Sequence, residues 1–506
     1  MKIIILGAGQ VGASVAENLV SEANDITLVD TSEEYLGALR ERLEIRTVCG
    51  NGASPRVLRE AGADDADLLI AVTQSDQTNL CACRIAKALF NLPTRIARLR
   101  STDYVDHPEL LDDDNFAVDF SICPEQVVTD YIKRLIAFPE ALQVLEFADG
   151  VVSLIGVRAF EGGPLVGHPL KALRFHLPNV EVRIAAIYRN GEPIMPEGDT
   201  IILPGDEVFC LAATVHIRQV MRELRRSDRP MRRIMIAGGG NIGFRLAQSI
   251  EENHHVKILE LNRTRAEMLA SHLSNALVLR GDSTDEKLLE TEGIDETDLF
   301  VALTNDEEDN IMSASLAKRM GARRTLALIN RKSYVDLVQG GPIDIAISPA
   351  HTSIGTLLAH VRRGDVVAVH SLRRGAAEAL EIIAHGSSKD SKVVGRPIEQ
   401  IALPRGASIG AVVRDEKNEE GRVVRREVII PHHDTVIRED DHVIVFCTNK
   451  KLVQKEGFLV DEKRSRVIIP HHDTVIEEND HVIVFCVRKR QVAEVEKLFQ
   501  VGFHFL

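Results

Sequence analysis

At 506 residues the chain is too long for a single hydrophobic core, and the usual domain size predicts three or four units. A formal net charge of -14, with 44% hydrophobic and 27% charged residues, gives little attraction to phosphate backbones or anionic lipid and disfavours nucleic acid as a partner. Trp is absent and Tyr (5) and Phe (16) are scarce, which leaves few platforms for stacking bases. No apolar stretch approaches the roughly 18 to 20 residues that span a bilayer. The apolar opening is broken by Gly7, Gly9 and Gly12, so no signal peptide is expected either. Seven Cys at irregular spacing fit reduced thiols in a cytoplasm better than a disulfide frame. Cys81-Ala-Cys83 lacks the second pair that a metal site would need.

Lys2-Ile3-Ile4-Ile5-Leu6 predicts a buried parallel strand, and Gly7-Ala8-Gly9-Gln10-Val11-Gly12 leads from it into a helical pattern through Val15, Leu19 and Val20. The next strand, Ile26 to Val29, ends in Asp30, where a carboxylate can accept hydrogen bonds from a ribose hydroxyl. This is the order of a dinucleotide-binding unit. Gly7 permits the tight turn, Gly9 lets backbone approach a pyrophosphate, and Gly12 lets the helix lie close to the sheet with its N–H groups toward the anion. Asn51, Thr73 of IAVTQSD (70–76), and Arg98 and Arg100 of TRIARLR fall near the same carboxyl edge of the sheet.

All of this recurs. Gly7, Gly9 and Gly12 reappear as Gly238, Gly240 and Gly243, a shift of 231, with Asn241 and Ile242 in place of Gln10 and Val11. Asp30 is answered by Glu260, Gly50-Asn51 by Gly281-Asp282, and Thr73 by Thr304 in VALTNDE (301–307), a register read as free of insertions and deletions. A period this long denotes duplicated domains rather than a solenoid. A carboxylate at position 30 or 260 repels a 2′-phosphate, so NAD or an adenosine nucleotide is expected over NADP. The copies differ in charge: Arg98 and Arg100 become Ile329 and Arg331, which predicts that the first lobe tolerates a polyphosphate better. The competing reading has these Arg capping the strand or pairing with Asp103 or Asp106.

Each α/β unit ends in a strand followed by Pro124 or Pro349, which opens a helix over about 124–137 or 349–362. A β-rich lobe follows, with strands at VVSLIGVRA, VRIAAIYRNG and DEVFCLAA, answered in the second half by DVVAVHSLRRG, SIGAVVRDE and DHVIVFC. The basic stretch Arg222 to Arg233 reads as a solvated linker. The expected fold is α/β: two Rossmann-like doubly wound parallel sheets, each followed by a smaller α+β lobe. The predicted domains are 1–123, 140–226, 232–351 and 365–506.

KIIILGAGQVG, MRRIMIAGGGNIG, NIMSASLAKRMGA, YVDLVQGGPIDIAISP and IMPEGDTIILPGDEVF together resemble the TrkA family, the RCK (KTN) type regulatory subunits of bacterial Trk potassium-uptake systems. The resemblance covers essentially the whole chain. It implies NAD(H) and ATP/ADP as ligands and a homotetrameric ring. It further implies docking on the cytoplasmic face of the inner membrane, against the membrane-embedded Trk translocator that selects the ion.

One departure stands out. VIIPHHDTVIREDDHVIVFC (428–447) is followed 39 residues later by VIIPHHDTVIEENDHVIVFC (467–486), identical at 18 of 20 positions, where the family needs the segment once. One copy is expected to complete the last lobe while the other pairs at an edge or packs loosely. His432-His433-Asp434 and His471-His472-Asp473 read as turns, because adjacent side chains on an extended chain point to opposite faces and suit a metal poorly.

No Ser/His/Asp order, HExxH, CxxC or GxxxxGK[ST] pattern offers a catalytic group. The alternatives are an NAD-dependent oxidoreductase, which shares the glycine fingerprint, and a regulator of another cation channel or antiporter. A nucleotide that binds one arrangement of lobes better than another shifts their populations without being consumed, and that is the favoured reading.

Overall fold

The computed structural model describes residues 1–448 except 21–23, 195, 226–228, 339–340, 362–365, 373–376, 387–390, 402, 404–406 and 418–422, together with 480–486. Two compact units emerge, one of Met1–Ala137 with Pro230–Leu357 and one of Phe138–Arg229 with Leu358–Leu506. No helix among the described residues is long and apolar enough to cross a membrane.

The first unit holds two parallel sheets. Strands β1 (Lys2–Leu6), β2 (Asp25–Asp30), β3 (Arg46–Cys49), β4 (Leu68–Ala71), β5 (Thr94–Arg98) and β6 (Phe120–Ile122) run in the order β3-β2-β1-β4-β5-β6. This is the doubly wound arrangement whose order reverses beside β1, opening a crevice at the carboxyl edge. β1 and β4 are buried on both faces, which is why they read as unbroken apolar runs. Helices between strands are capped as their sequences ask: Ser75 accepts the Thr78 N–H at the start of Asp76–Phe90, and Asn91 ends it in the left-handed region (φ 48).

Between the two parallel sheets the chain builds a different, antiparallel one. That sheet belongs to the second unit and comprises β7 (Ala141–Phe147), β8 (Val152–Arg158), β9 (Val182–Arg189), β10 (Glu192–Ile194) and β11 (Glu207–Ala213) in the antiparallel order β10-β9-β11-β8-β7. The repeat then gives β12 (Arg233–Ala237), β13 (His255–Glu260), β14 (Leu277–Arg280), β15 (Leu299–Ala302), β16 (Arg324–Leu328) and β17 (Ile345–Ile347), ordered β14-β13-β12-β15-β16-β17. The register is not free of length changes. Lys2 pairs with Asp25 but Arg233 pairs with His255, one residue early, and the residue is regained before β14, where Glu260 pairs with Arg280 as Asp30 does with Cys49. The first helix is one residue shorter (Asn241–Ile250 against Gln10–Val20), and the next is longer (Arg263–His272 against Glu33–Arg40).

The last sheet contains β18 (Val366–Leu372), β19 (Ala377–Ala384), β20 (Ala407–Lys417), β21 (Val423–Ile429), β22 (Asp441–Thr448) and β23 (Asp480–Cys486). The counterpart of β8 is therefore β19, a strand absent from the sequence reading. β22 and β23 carry the two copies of the repeated segment, and neither takes an edge. Both lie between β19 and β20, in equivalent register: Ile409 faces Val445 and also Val484, while Ala384 faces Asp441 and Ile383 faces His481. Either copy suits this slot, because both share the alternation that fits it and the aspartate that fixes its start. Asp441, fully buried, accepts the Arg438 N–H (2.7 Å) and pairs with Arg414 (3.3 Å), as Asp206 accepts the Leu203 N–H and pairs with Arg189 (both 2.8 Å) in the earlier lobe. The second His-His-Asp stretch, 471–473, and the ending VAEVEKLFQ lie outside the described residues.

One sheet position accommodates one strand. Excising residues 448–486, which removes a single period, is expected to leave a folded last lobe with an unchanged or higher melting temperature and less aggregation on heating. Calorimetry and light scattering check this; a fall of more than about 5 °C shows that both copies are needed.

Candidate nucleotide-binding sites

Each glycine of the two loops meets different surroundings. Gly7 has φ +106 and Gly238 φ +101, a region that L side chains rarely adopt. A Cβ on Gly12 would stand 1.8 Å from the Gly7 carbonyl oxygen, and on Gly243 2.0 Å from that of Gly238, so these two are demanded by helix packing. A Cβ on Gly9 or Gly240 would meet nothing within 4 Å. Packing does not require glycine there, and a side chain would fill only the open cradle in front of the helix N-terminus. Gln10 and Asn241, which follow, are exposed, whereas Val11 is buried and Ile242 half-buried.

The acids at the ends of β2 and β13 brace these loops. Asp30 Oδ2 accepts the Ala8 N–H at 2.6 Å, and Glu260 Oε2 accepts the Gly239 N–H at 2.9 Å. Their other oxygens take the N–H of Ser32 (2.9 Å) and Asn262 (2.8 Å). Asn51 and Asp282 stand after β3 and β14 and close local turns by accepting the N–H of Ala53 and Thr284. The hydrogen bonds from Thr284 hold the Asp282 carboxyl below its ordinary range. Gly7, Asp30, Asn51, Thr73 and Arg98 are thus brought to the carboxyl ends of five adjacent strands, and their counterparts to those of the second sheet.

Thr73 and Thr304 rest on a buried amide that the sequence reading missed. Asn79 Oδ1 accepts the Thr73 N–H (3.0 Å) and hydroxyl (2.7 Å), and its Nδ2 donates to the carbonyls of Arg98 (2.9 Å) and Thr73 (3.3 Å). Asn310 does the same for Thr304 (2.8 Å to each) and for the Leu328 carbonyl (3.0 Å). Both amides are fully buried. The signal was present, since Asn79 and Asn310 are identical at the 231 shift. A second pair was also passed over: Asp76 accepts the N–H of Arg100 (2.8 Å) and Ser101 (2.9 Å), and Glu307 that of Arg331 (3.2 Å).

The two sites part company in charge. Arg98 and Arg100 pair with neither Asp103 nor Asp106. They converge on Glu125, at the start of the helix Pro124–Ala137, with Arg98 Nη2 at 3.1 Å and Arg100 Nε at 3.6 Å from Oε1. Two guanidinium groups share one carboxylate, and the Nε atoms of both are buried without a hydrogen-bond partner. Burial pulls the Arg98 pKa down against the opposing charge of Glu125. In the second lobe Ile329 is fully buried, and Arg331 is already held by Glu307 and Glu308 and lies over the Tyr334 ring at 4.1 Å.

The TrkA-N domain family model matches residues 3–115 and again 234–349, and the TrkA-C domain model matches 154–225 and 388–454. Over 454 residues the chain is 55% identical to the Trk system potassium uptake protein TrkA of Vibrio alginolyticus, covering 90% of this chain and 97% of that one. The same-named protein of Halomonas elongata is 56% identical with the same coverage. The chain belongs to the TrkA family. Among solved structures it is similar to the GsuK RCK domain, with a TM-score of 0.56 at 15% identity over 98% of this chain and 94% of that one. The GsuK channel bound to NAD gives a TM-score of 0.56 at 17% identity over 90% of this chain and 77% of that one. These two likenesses concern the fold. The second TrkA-C match takes in the first copy of the repeated segment and stops before the second. Glu125 lies beyond the first TrkA-N match, so the carboxylate that gathers Arg98 and Arg100 comes from the helix leaving that domain.

Proposed function

We propose that the chain is the nucleotide-sensing regulatory subunit of a Trk-type potassium transporter, acting at the cytoplasmic face of the inner membrane as a tetrameric ring against the translocator. Its readers are the lobes 1–123 and 232–351, each followed by a smaller lobe, 140–226 and 365–506. NAD(H) and ATP or ADP are its ligands, bound and released unchanged. The names of the curated relatives support the potassium-uptake setting. The open cradles over Gly9 and Gly240, each beside a strand-end acid, support nucleotides as ligands.

The observation that carries the reading furthest is the unequal charge of the two cradles. In the first, the two cations Arg98 and Arg100 face Glu125 and Asp76, two acids for two cations, where the second lobe sets two acids against one, and this favours a polyphosphate in the first. In the second, Arg331 is neutralised by two carboxylates and Arg265 is engaged by the Gly239 carbonyl of the glycine loop, which favours the smaller charge of NAD(H). Two ligands of different charge then report on two metabolic quantities. Each shifts the lobe equilibrium by its differential affinity for the two states, and about 10⁴-fold is needed to turn a 1:99 population into 99:1.

Titration of ATP into the Arg98→Ala, Arg100→Ala double variant tests this. ATP affinity is expected to fall at least tenfold, with NADH affinity within about twofold of native, because charge-assisted hydrogen bonds to phosphate contribute roughly 1.5–3 kcal/mol each. Unchanged ATP affinity removes the assignment of the cations. Potassium uptake by vesicles carrying the translocator, with and without this subunit and each nucleotide, tests the regulatory role; uptake indifferent to both removes it.

A further inference from the structure

The two nucleotide lobes meet helix against helix, and Arg245 hydrogen-bonds across the contact. The helix Asn241–Ile250 starts at the second glycine loop, with the Phe244 N–H bonded to the Gly240 carbonyl at 2.9 Å, and it packs against the helix Pro124–Ala137 of the first lobe. Arg245, one turn in, donates Nη2 to the carbonyl of Arg100 at 2.7 Å and Nη1 to Gln126 Oε1 at 3.0 Å. The Arg100 N–H is already held by Asp76 at 2.8 Å, so the backbone of this cation is gripped from both sides, once by its own lobe and once by the other. Gln126 adjoins Glu125, the carboxylate that aims Arg98 and Arg100. Arg245 therefore touches the backbone of one first-lobe cation and the side chain next to the carboxylate that gathers both, while riding on the helix that starts at the second glycine loop.

We infer that Arg245 is a positioning residue through which occupancy of the second glycine loop changes the affinity of the first lobe for ATP. The inference rests on the nucleotide reading above. An anion at a helix N-terminus draws on the free N–H groups of its first turn. Arg245 lies at the end of that turn, where a small displacement lengthens or shortens two charge-assisted hydrogen bonds to the first lobe. The equivalent position in the first lobe is Ser14, which carries no cation, so the linkage is built from one side only. Its thermodynamic effect is nonetheless reciprocal: whatever factor NADH imposes on ATP, ATP imposes on NADH.

The test is calorimetric titration of the full chain with ATP, alone and at saturating NADH, and the reverse. In the native protein the two ratios of affinity are expected to agree and to be about fivefold or more from unity. In Arg245→Met both ratios fall to within about twofold of unity, while each ligand alone binds within about threefold of native; Arg245→Lys, which keeps one donor, recovers part of the ratio. A merely structural role would lower both affinities and the melting temperature together and leave the ratio intact. Should Arg245→Met not fold, Gln126→Leu severs the linkage from the other lobe and is expected to reduce the ratio in the same direction. Native ratios of unity, or an undiminished ratio in the variants, overturn the inference alone. Failure of both nucleotides to bind the native chain overturns the nucleotide reading, and this inference with it.

Discussion

Gly12→Ala is expected to unfold the first nucleotide lobe, whereas Gly9→Ala leaves it folded and unable to hold a nucleotide. The two positions are three residues apart and their surroundings are opposite. A methyl group at residue 12 meets the Gly7 carbonyl oxygen at 1.8 Å, and both partners are backbone, so the helix must move off the sheet. Overpacking that moves a helix costs about 3 kcal/mol or more, a large part of a lobe's stability. At residue 9 the methyl group meets nothing within 4 Å. Its cost is felt only when a pyrophosphate has to approach the backbone, and a loss of at least about a hundredfold in affinity, roughly 2.7 kcal/mol, is expected. Thermal melting separates the first variant from native and nucleotide titration the second. The same contrast is expected between Gly243, at 2.0 Å from the Gly238 oxygen, and Gly240, which is open. Equal behaviour of Gly9→Ala and Gly12→Ala in both assays would contradict the geometry.

Asn79→Ala and Asn310→Ala are expected to destabilise their lobes by about 2–4 kcal/mol each, because truncation strands buried backbone groups that the amide had satisfied. Asn79 serves the Thr73 N–H and hydroxyl and the carbonyls of Thr73 and Arg98. The functional consequences should differ. Loss of Asn79 frees the backbone of Arg98 and weakens ATP binding, while loss of Asn310 frees Leu328, which carries no charge, and leaves ATP binding at the first lobe near native. Denaturant unfolding measures the first effect and ATP titration the second. A loss below about 0.5 kcal/mol for both variants would show that the amides are not holding these loops.

The glycine loops, the strand-end acids and the doubling were legible because each obeys a local rule: a buried apolar run, a turn that needs glycine, an acid about 20 residues on. What escaped depended on partners distant in sequence. Glu125 reaches Arg98 and Arg100 from a helix beyond the sheet, and the second lobe has Ala350 at its place, so the internal repeat gave no hint of it. Asn79 lies within a helical pattern where a polar residue reads as surface, yet it is fully buried. Two of the strands passed over in the small lobes, β7 and β19, have sequences that disguise them. β7 buries Ala141, Val144, Leu145 and Phe147, so its first residues break the alternation, because a register shift falls between Ala141 and Gln143. β19 is rich in Ala, Glu and Leu, good helix formers that pairing on both sides overrides.

The slot shared by β22 and β23 gives this gene product a spare part. A substitution at Asp441, or at any residue of 441–447, is expected to leave the matching residue 39 positions downstream available to the same slot, so that damage to either copy is buffered by the other. Selection then acts on the pair rather than on each member, and the copies are free to drift apart. Arg438 against Glu477 and Asp440 against Asn479 are the first two steps of that divergence.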